Sequence, residues 1–252
     1  MINFLRRLGG ILKILGLDIK AIFAIRFLPK YISDIFRFRR MGGKINSYFP
    51  ILRDFHDNAG VASGHFFHCD LHVAKMIFLA NPTRHIDIGS RIDGFVAHVA
   101  SFRKIEVVDL RSLTSSHKEI QFLKQDLMLP NQEKCDSLSA LHVVGHFGLG
   151  RYSDEIDKDG HIKGLSNMIE MLLPGGTFYL GIPIGKADEV YFNAHRVFAP
   201  NSILKFDCVA DSLKLRRFDI VNDDGDLETD MDVDEAMGKY NYGFGIYTFV
   251  KL

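Results

Sequence analysis

The stretch RHIDIGSRIDGFVAHV, residues 84–99, reads as a short apolar strand, a glycine-containing turn and the start of a helix. The apolar alternation of HIDI gives way, after Gly89 and Ser90, to Phe95, Val96 and Val99 at helical spacing. A turn of this kind lets backbone approach a ligand, with the helix N–H groups pointing at it. Asp87, Gly89, Ser90 and Gly94 are therefore the first candidate binding residues. The next strand, KIEVVDL (104–110), ends in Asp109. An acid about 20 residues past the turn suits hydrogen bonds to ribose hydroxyls. The third strand, IQFLKQDL (120–127), brings Asp126 to the equivalent end, where it can meet an adenine amino group.

Outward from this unit, further apolar runs lie at 138–144, 177–182, 215–221 and 245–250. Helical patterns fall between most of the runs, notably at 94–102 and 162–173. Strand, helix and strand at such spacing predict an α/β fold with a mostly parallel sheet and crossover helices. Only an acidic stretch separates the last two runs, so they are expected to pair antiparallel. Before the first strand, Phe67, Leu71, Ala74 and Phe78 predict an amphipathic helix. The expected organisation is a helical arm over 1–44, a helical cap or linker over 45–83 and an α/β domain over 84–252.

With the pieces in this order, the chain resembles the class I S-adenosylmethionine-dependent methyltransferases. LLPGGTFYLGIP (172–183) is similar to the turn and fifth strand of those enzymes. LHVVGHFGLG (141–150) is similar to their fourth strand and the His-containing turn after it. More closely, the chain resembles a methyltransferase-like family of unknown function. The likeness is carried by GHFFHCDL (64–71), HIDIGSRIDGFVAHV (85–99), HFGLGRYSDEIDKDGH (146–161) and FNAHRVF (192–198). The resemblance implies a Rossmann-like sheet with its last strand antiparallel and S-adenosylmethionine as cofactor. Family members occur among surface-glycan biosynthesis genes, which implies a sugar or lipid-linked glycan acceptor. One departure stands out: the usual first motif is Asp-x-Gly-x-Gly-x-Gly, and Arg91 and Asp93 replace its second and third glycines. Side chains there threaten to crowd the cofactor's methionine moiety, and Gly94 offers room one residue later. A nicotinamide oxidoreductase is disfavoured, because Gly-x-Gly-x-x-Gly is missing after the first strand.

In such a sheet the site lies at the carboxyl ends of the strands. His146, just past the fourth strand, is the first choice for a base that takes a proton from an acceptor hydroxyl. His142, within the strand, is expected in the core. His195 and Arg196 are expected to line the same cleft, and Arg151 to clamp a phosphate or carboxylate. His65, His68 and His72 fall on one helix face with Cys69 and Asp70 interleaved. Three imidazoles from one helix lack a closing partner, so no metal site is expected there. His68 and Asp70 are read instead as a lid over the cofactor. The segment 219–235 carries nine acids and no Lys or Arg, and is expected to be a solvated connection. Its Asn222–Asp226 portion departs from calcium-loop spacing. Asp154, Asp157 and Asp159 form a second acidic group.

The 252 residues are 47% hydrophobic and 25% charged, which excludes a disordered chain, a collagen-like repeat and a coiled coil. Three cysteines are a poor disulfide framework and point to a reducing, cytoplasmic setting. The net charge of zero conceals an asymmetry. Residues 1–44 hold ten Lys/Arg against Asp18 and Asp34, a net of +8, and the remainder is −8. Phe4, Leu8, Ile11 and Leu15 share one helix face, and Ile22, Ile25 and Leu28 repeat the spacing before Pro29. No apolar run reaches the ~20 residues of a spanning helix. The arm therefore reads as an interfacial element for an anionic membrane surface, or as helices packed on the domain or on a second subunit. No nucleic-acid motif accompanies the charge. The leading reading is a methyltransferase at the cytoplasmic membrane face. Its rivals are a glycan-processing enzyme or scaffold with the same fold but without S-adenosylmethionine, and a non-catalytic membrane-associated binding module.

Overall fold

The computed structural model describes residues 19–252. The helical stripe expected over residues 4–15 lies outside the described residues. The chain divides into two compact units, Met1–Val61 and Ala62–Leu252.

In the first unit, α1 (Ile19–Ala24) passes through a 3-10 turn, Ile25–Phe27, into α2 (Leu28–Arg40). Pro29 does not interrupt this path. It sits in the first turn of α2, where its missing N–H leaves no partner unsatisfied. None of the residues of α2 is buried. Phe36 and Phe38 are 58% and 51% exposed, and Arg37, Arg39 and Arg40 crowd the last turn. Basic residues at that end complement the helix dipole.

In the second unit, α3 (His65–Ala80) precedes β1 (His85–Ile88). A π-helical turn, Ile92–Val96, leads into α4 (Ala97–Ala100), and then come β2 (Ile105–Asp109), β3 (Ile120–Lys124) and β4 (Cys135–Leu141). After α5 (Gly160–Met171) the chain enters β5 (Leu172–Ile184), a small hairpin of β6 (Glu189–Tyr191) and β7 (His195–Val197), and α6 (Asp207–Ala210). It closes with β8 (Leu213–Val221), β9 (Leu227–Glu228) and β10 (Gly243–Lys251). The main sheet has the order β3-β2-β1-β4-β5-β10-β8-β9. Strands β1 to β5 pair in parallel, whereas β10 runs antiparallel between β5 and β8. The last two long strands thus pair antiparallel, as expected, but β10 is inserted rather than added at the edge.

The sheet is covered on both faces, as a mostly parallel sheet requires. Leu165, Met168 and Ile169 of α5 and Val209 of α6 pack on one face with Leu138, Phe178 and Leu180. Cys69, Val73 and Ile77 of α3 pack on the other with Phe95, Val99, Val107 and Phe244. The buried face of α3 is therefore not the expected one. Of the four apolar positions read from the sequence only Ala74 is buried, and Phe67, Leu71 and Phe78 are exposed. The helix carries apolar residues on nearly all sides, so hydrophobic spacing did not single out the face that packs.

Most of the acids in 219–235 are exposed, as a solvated connection requires, and Asp219 is the exception. Asp219 is fully buried and accepts hydrogen bonds from Arg217 Nε at 2.7 Å and from the backbone N–H of Asp230 at 2.8 Å, with His72 Nε2 at 3.0 Å. Asp223 accepts the backbone N–H groups of Asn241 and Tyr242, and Asp232 those of Asp234 and Glu235. These carboxylates tie down turns. Asp154 does the same for the N–H groups of Gly150 and Tyr152, and Asp157 pairs with Lys163.

Candidate functional site

A cavity of about 630 Å³ opens at the carboxyl ends of the parallel strands. It lies where the strand order reverses between β1 and β4, the position at which open α/β sheets bind ligands. Gly89, Ser90, Asp109 and Asp126 line one part of it. His146, Arg151 and His195 line another, and Asp70 reaches it from α3. The structure so brings together most of the residues singled out from sequence.

Gly89 has φ +67°, and a Cβ there would come within 2.7 Å of the Val143 side chain. Only glycine fits this left-handed, close-packed position. Asp87 lies beneath the turn and does not line the cavity. Its buried carboxylate accepts Ser90 N–H at 3.0 Å, Ser90 Oγ at 2.8 Å and Ser139 Oγ at 2.6 Å. Burial pushes its pKa up to about 7 against the effect of these bonds. Its role is to set the turn that Gly89 and Ser90 present. Asp93 lies off the cavity, whereas Arg91 lines it: the two exposed side chains pair at 2.9 Å, and the Arg91 guanidinium lies over the Phe66 ring. Gly94 also lies off the cavity. It leaves φ/ψ helical space at −122°/−111°, and a Cβ there would meet Asp70 Oδ2 at 2.6 Å. Its missing side chain makes room for Asp70, not for a ligand.

Asp109 stands at the end of β2 with Arg111 folded onto it. Arg111 Nη2 donates to Oδ2 at 2.6 Å, and its Nε and backbone N–H donate to Oδ1 at 3.0 and 2.8 Å. Asp126, which lines the cavity, accepts the Met128 N–H on Oδ1 at 2.9 Å. Arg111 and Arg151 both lie against the Tyr152 ring, at 4.6 and 5.3 Å from its centroid. Arg111 is neutralised by Asp109, so Arg151, whose Nη1 donates to Ala194 O at 2.8 Å, is the guanidinium at this end that can meet an anion.

His146 Nδ1 is 2.7 Å from Ala194 O. A carbonyl oxygen only accepts, so Nδ1 carries the proton and Nε2 holds a lone pair. Burial pulls the His146 pKa down to about 4, so the ring is neutral near pH 7. His195 is close by, its Nε2 2.9 Å from the Tyr242 hydroxyl. Arg196, the next residue of β7, points the other way, because successive strand residues face opposite sides. It is 5% exposed and its guanidinium donates to the carbonyls of Phe147 and Lys158, holding the loop after β4. It is a loop support and does not line the cleft. His68 is likewise absent from the lining, since it sits two residues from Asp70 and hence on another side of α3. His72 turns to Asp219 and His65 stacks on Phe244, so the three imidazoles of α3 do not converge.

Sequence reasoning missed an aromatic column in the same cavity. His142 is stacked between Phe66 and Phe244, with centroids 4.1 and 4.0 Å away. It is not a core residue within β4: it follows the strand, at φ +64°, and lines the cavity. The three rings come from α3, the β4 end and β10, and no local sequence pattern links them.

The solved structures with this architecture include NodS, an N-methyltransferase from Bradyrhizobium japonicum in complex with S-adenosyl-L-homocysteine. It shares 15% identity over 75% of this chain and 88% of its own, with a TM-score of 0.51. The fold is that of the class I methyltransferases. A 1,6-didemethyltoxoflavin-N1-methyltransferase from Burkholderia thailandensis aligns over 73% of this chain and 78% of its own, at 12% identity and a TM-score of 0.50. The [4+2]-cyclase SpnF aligns over 71% and 80%, at 13% identity and a TM-score of 0.51. A family described as a Caenorhabditis protein of unknown function, DUF268, matches residues 96–208, from the π-helical turn into α6. No curated protein matches the sequence. The likeness read from the sequence, to a methyltransferase fold and to a family without assigned function, agrees with both findings. In this methyltransferase fold, the turn after β1, the last residue of β2 and the second residue past β3 supply Gly89, Asp109 and Asp126 to the cavity.

Proposed function

We propose that the protein is a methyltransferase that binds S-adenosylmethionine in the cavity and acts on a hydroxyl of an anionic acceptor, a phosphate-bearing sugar or lipid-linked glycan intermediate. The observation that carries this reading is the convergence of Gly89, Ser90, Asp109 and Asp126, from three successive strand ends, on one cavity. Arg91, which stands where a glycine is usual, lines the same cavity with its guanidinium drawn onto the exposed Asp93. Solved neighbours of this fold include a methyltransferase holding S-adenosyl-L-homocysteine.

In this reading Gly89 and Ser90 hold the methionine part of the cofactor, Asp109 accepts its ribose hydroxyls and Asp126 meets its adenine. The bound cofactor supplies an electrophilic methyl group. Arg111 shares Asp109 with the ribose, since each carboxylate oxygen can accept more than one donor. Arg151 holds the acceptor's phosphate, and His146 Nε2 takes the hydroxyl proton as the methyl group arrives. An anion beside Arg151 raises the affinity of His146 for that proton. The basic, exposed α2 supports attachment to an anionic surface on the cytoplasmic side, which brings the site to lipid-linked acceptors. Among the described residues no helix is long and apolar enough to cross a membrane.

A thermal melt with S-adenosylhomocysteine tests the cofactor assignment. A ligand at about 100 times its Kd stabilises the native state by about 2.7 kcal/mol. The expected rise is on the order of 5–10 °C. An unmoved melting temperature at millimolar ligand would transfer the reading to the rival: a cofactor-free enzyme or scaffold on the same fold. That rival draws on Arg111, which occupies both oxygens of Asp109, and on SpnF, a cyclase with this architecture.

A further inference from the structure

Cys69 and Asp70 on α3 and His142 at the end of β4 each offer one ligand atom, and these three atoms lie within 4.8 Å of one another. We infer that Cys69, Asp70 and His142 form a binding site for a borderline transition-metal ion such as Zn²⁺, opening on the same cavity. The inference goes beyond the cofactor reading and does not rest on it.

The donor set selects the ion. A thiolate with an imidazole and a carboxylate suits zinc, iron or cobalt, whereas magnesium and calcium take oxygen donors. Three protein ligands with an open position are the pattern of a metal that binds substrate or water. The placement agrees. Asp70 and His142 line the cavity, and Cys69, one residue back along α3, is fully buried behind them. Donors at about 2.0–2.3 Å from one tetrahedral ion stand roughly 3.5 Å apart.

A second observation is independent of the cluster. Nε2 of His142 is buried and has no hydrogen-bond partner among the described residues, an unusual state for an imidazole nitrogen. The ring is clamped between Phe66 and Phe244 on a left-handed backbone, so it is held in one orientation with bonding capacity the protein itself does not use. Gly94 gives way to the Asp70 carboxylate, which keeps that group over the cavity. Metal binding releases the thiol proton of Cys69 to solvent. Asp70 and His142 line the cavity that His146 shares, so an ion held there would meet an acceptor oxygen and lower its pKa.

Cobalt titration of the untagged full chain, stripped with a chelator, tests the site. The expected result is one Co²⁺ per chain with a thiolate-to-cobalt charge-transfer band. Cys69→Ser should abolish that band, while Cys135→Ser and Cys208→Ser keep it. His142→Ala and Asp70→Asn should weaken binding beyond the roughly 10–100-fold that loss of an outer hydrogen-bond partner costs. Circular dichroism confirms that each variant is folded, and Cys69→Ala replaces a serine variant that is not. Elemental analysis of the chain as purified should find near-stoichiometric zinc or iron. Absence of saturable cobalt binding, or a charge-transfer band that survives loss of Cys69, would overturn the site. S-adenosylhomocysteine melts on the same samples separate the two readings: cobalt binding without a cofactor shift leaves the metal site standing alone.

Discussion

Ser139 on β4 donates its hydroxyl to Asp87 on β1 at 2.6 Å, joining the two strands whose ends part to form the cavity. Ser90 adds a hydroxyl and a backbone N–H to the same carboxylate. Asp87→Asn can keep the oxygen that receives both hydroxyls but turns an amide toward the Ser90 N–H. A buried donor left unpaired costs about 1–3 kcal/mol. Chemical denaturation should register a loss of that size, with a secondary fall in S-adenosylhomocysteine affinity as the turn loosens. A fully stable variant would mean that the three bonds do not hold the turn.

Asp109 is expected to contact the ribose. Asp109→Ala should weaken S-adenosylhomocysteine binding by roughly 1.5–3 kcal/mol, the range of charge-assisted hydrogen bonds. Calorimetry on folded protein measures this directly. Unchanged affinity would remove Asp109 from the cofactor site and leave it as the partner of Arg111.

His146→Ala and Arg151→Ala should both lose methyl transfer to a phosphate-bearing acceptor while S-adenosylhomocysteine affinity stays within about twofold, since neither lies at the β1–β3 ends. Full turnover in both variants would remove them from the acceptor site. A joint loss of cofactor affinity would mean that the nucleotide extends over the end of β4.

Acidification should destabilise the fold below about pH 6.5. Burial holds His85 and His142 at pKa values of about 3, and His146 and His161 at about 4. Depressed folded values mean that the stability is present above the unfolded histidine pKa and lost as pH falls through the folded ones. Asp70 and Asp87, raised by burial to about 6 and 7, act in the opposite sense: their contribution is full in acid and is lost as pH rises through those values. Four imidazoles against two carboxyls leave the unfolded chain the stronger proton binder between pH 6 and 4. Melting temperatures across pH 4.5–7.5 should therefore fall toward the acid end, and a flat or rising profile would contradict the burial of these rings.

The arm should bring the protein to anionic vesicles. Basic residues near such a surface contribute about 1 kcal/mol each before screening. Sedimentation with phosphatidylglycerol vesicles should recover the full chain at low salt and lose it at high salt. Removal of residues 1–44 should abolish recovery. Indifference of both forms would make the arm a packing or dimer element.

The strands were legible because each is a short apolar run bounded by polar turns, and Asp109 and Asp126 fell at their ends by counting alone. What stayed hidden depended on lateral neighbours. His195 and Arg196 are adjacent in sequence, yet strand alternation sends one to the cavity and the other into the loop beneath it. Asp219 sat in an acidic run that reads as solvated, but Arg217 and His72 pair it inside the fold. Phe66, His142 and Phe244 meet only because α3 crosses the sheet near the ends of β4 and β10. Arg111 stands two residues past an acid that the reading had reserved for a ligand, and short-range charge pairing of that kind is invisible to spacing rules.

The position of β10 bears on how the sheet can assemble. Strand β8 is made before β10, yet β10 separates it from β5 and pairs with both along nearly its whole length. Any species in which 243–251 has not docked presents two open strand edges, those of β5 and β8, each rich in apolar residues. Such edges are templates for pairing with another chain. The step that seals them joins β10 to a strand about sixty residues earlier, a distant contact of the kind that slows folding. Crowded expression should therefore aggregate this protein at its newest strand, and substitutions that weaken the Gly243–Lys251 segment should cost yield well before they touch the cavity.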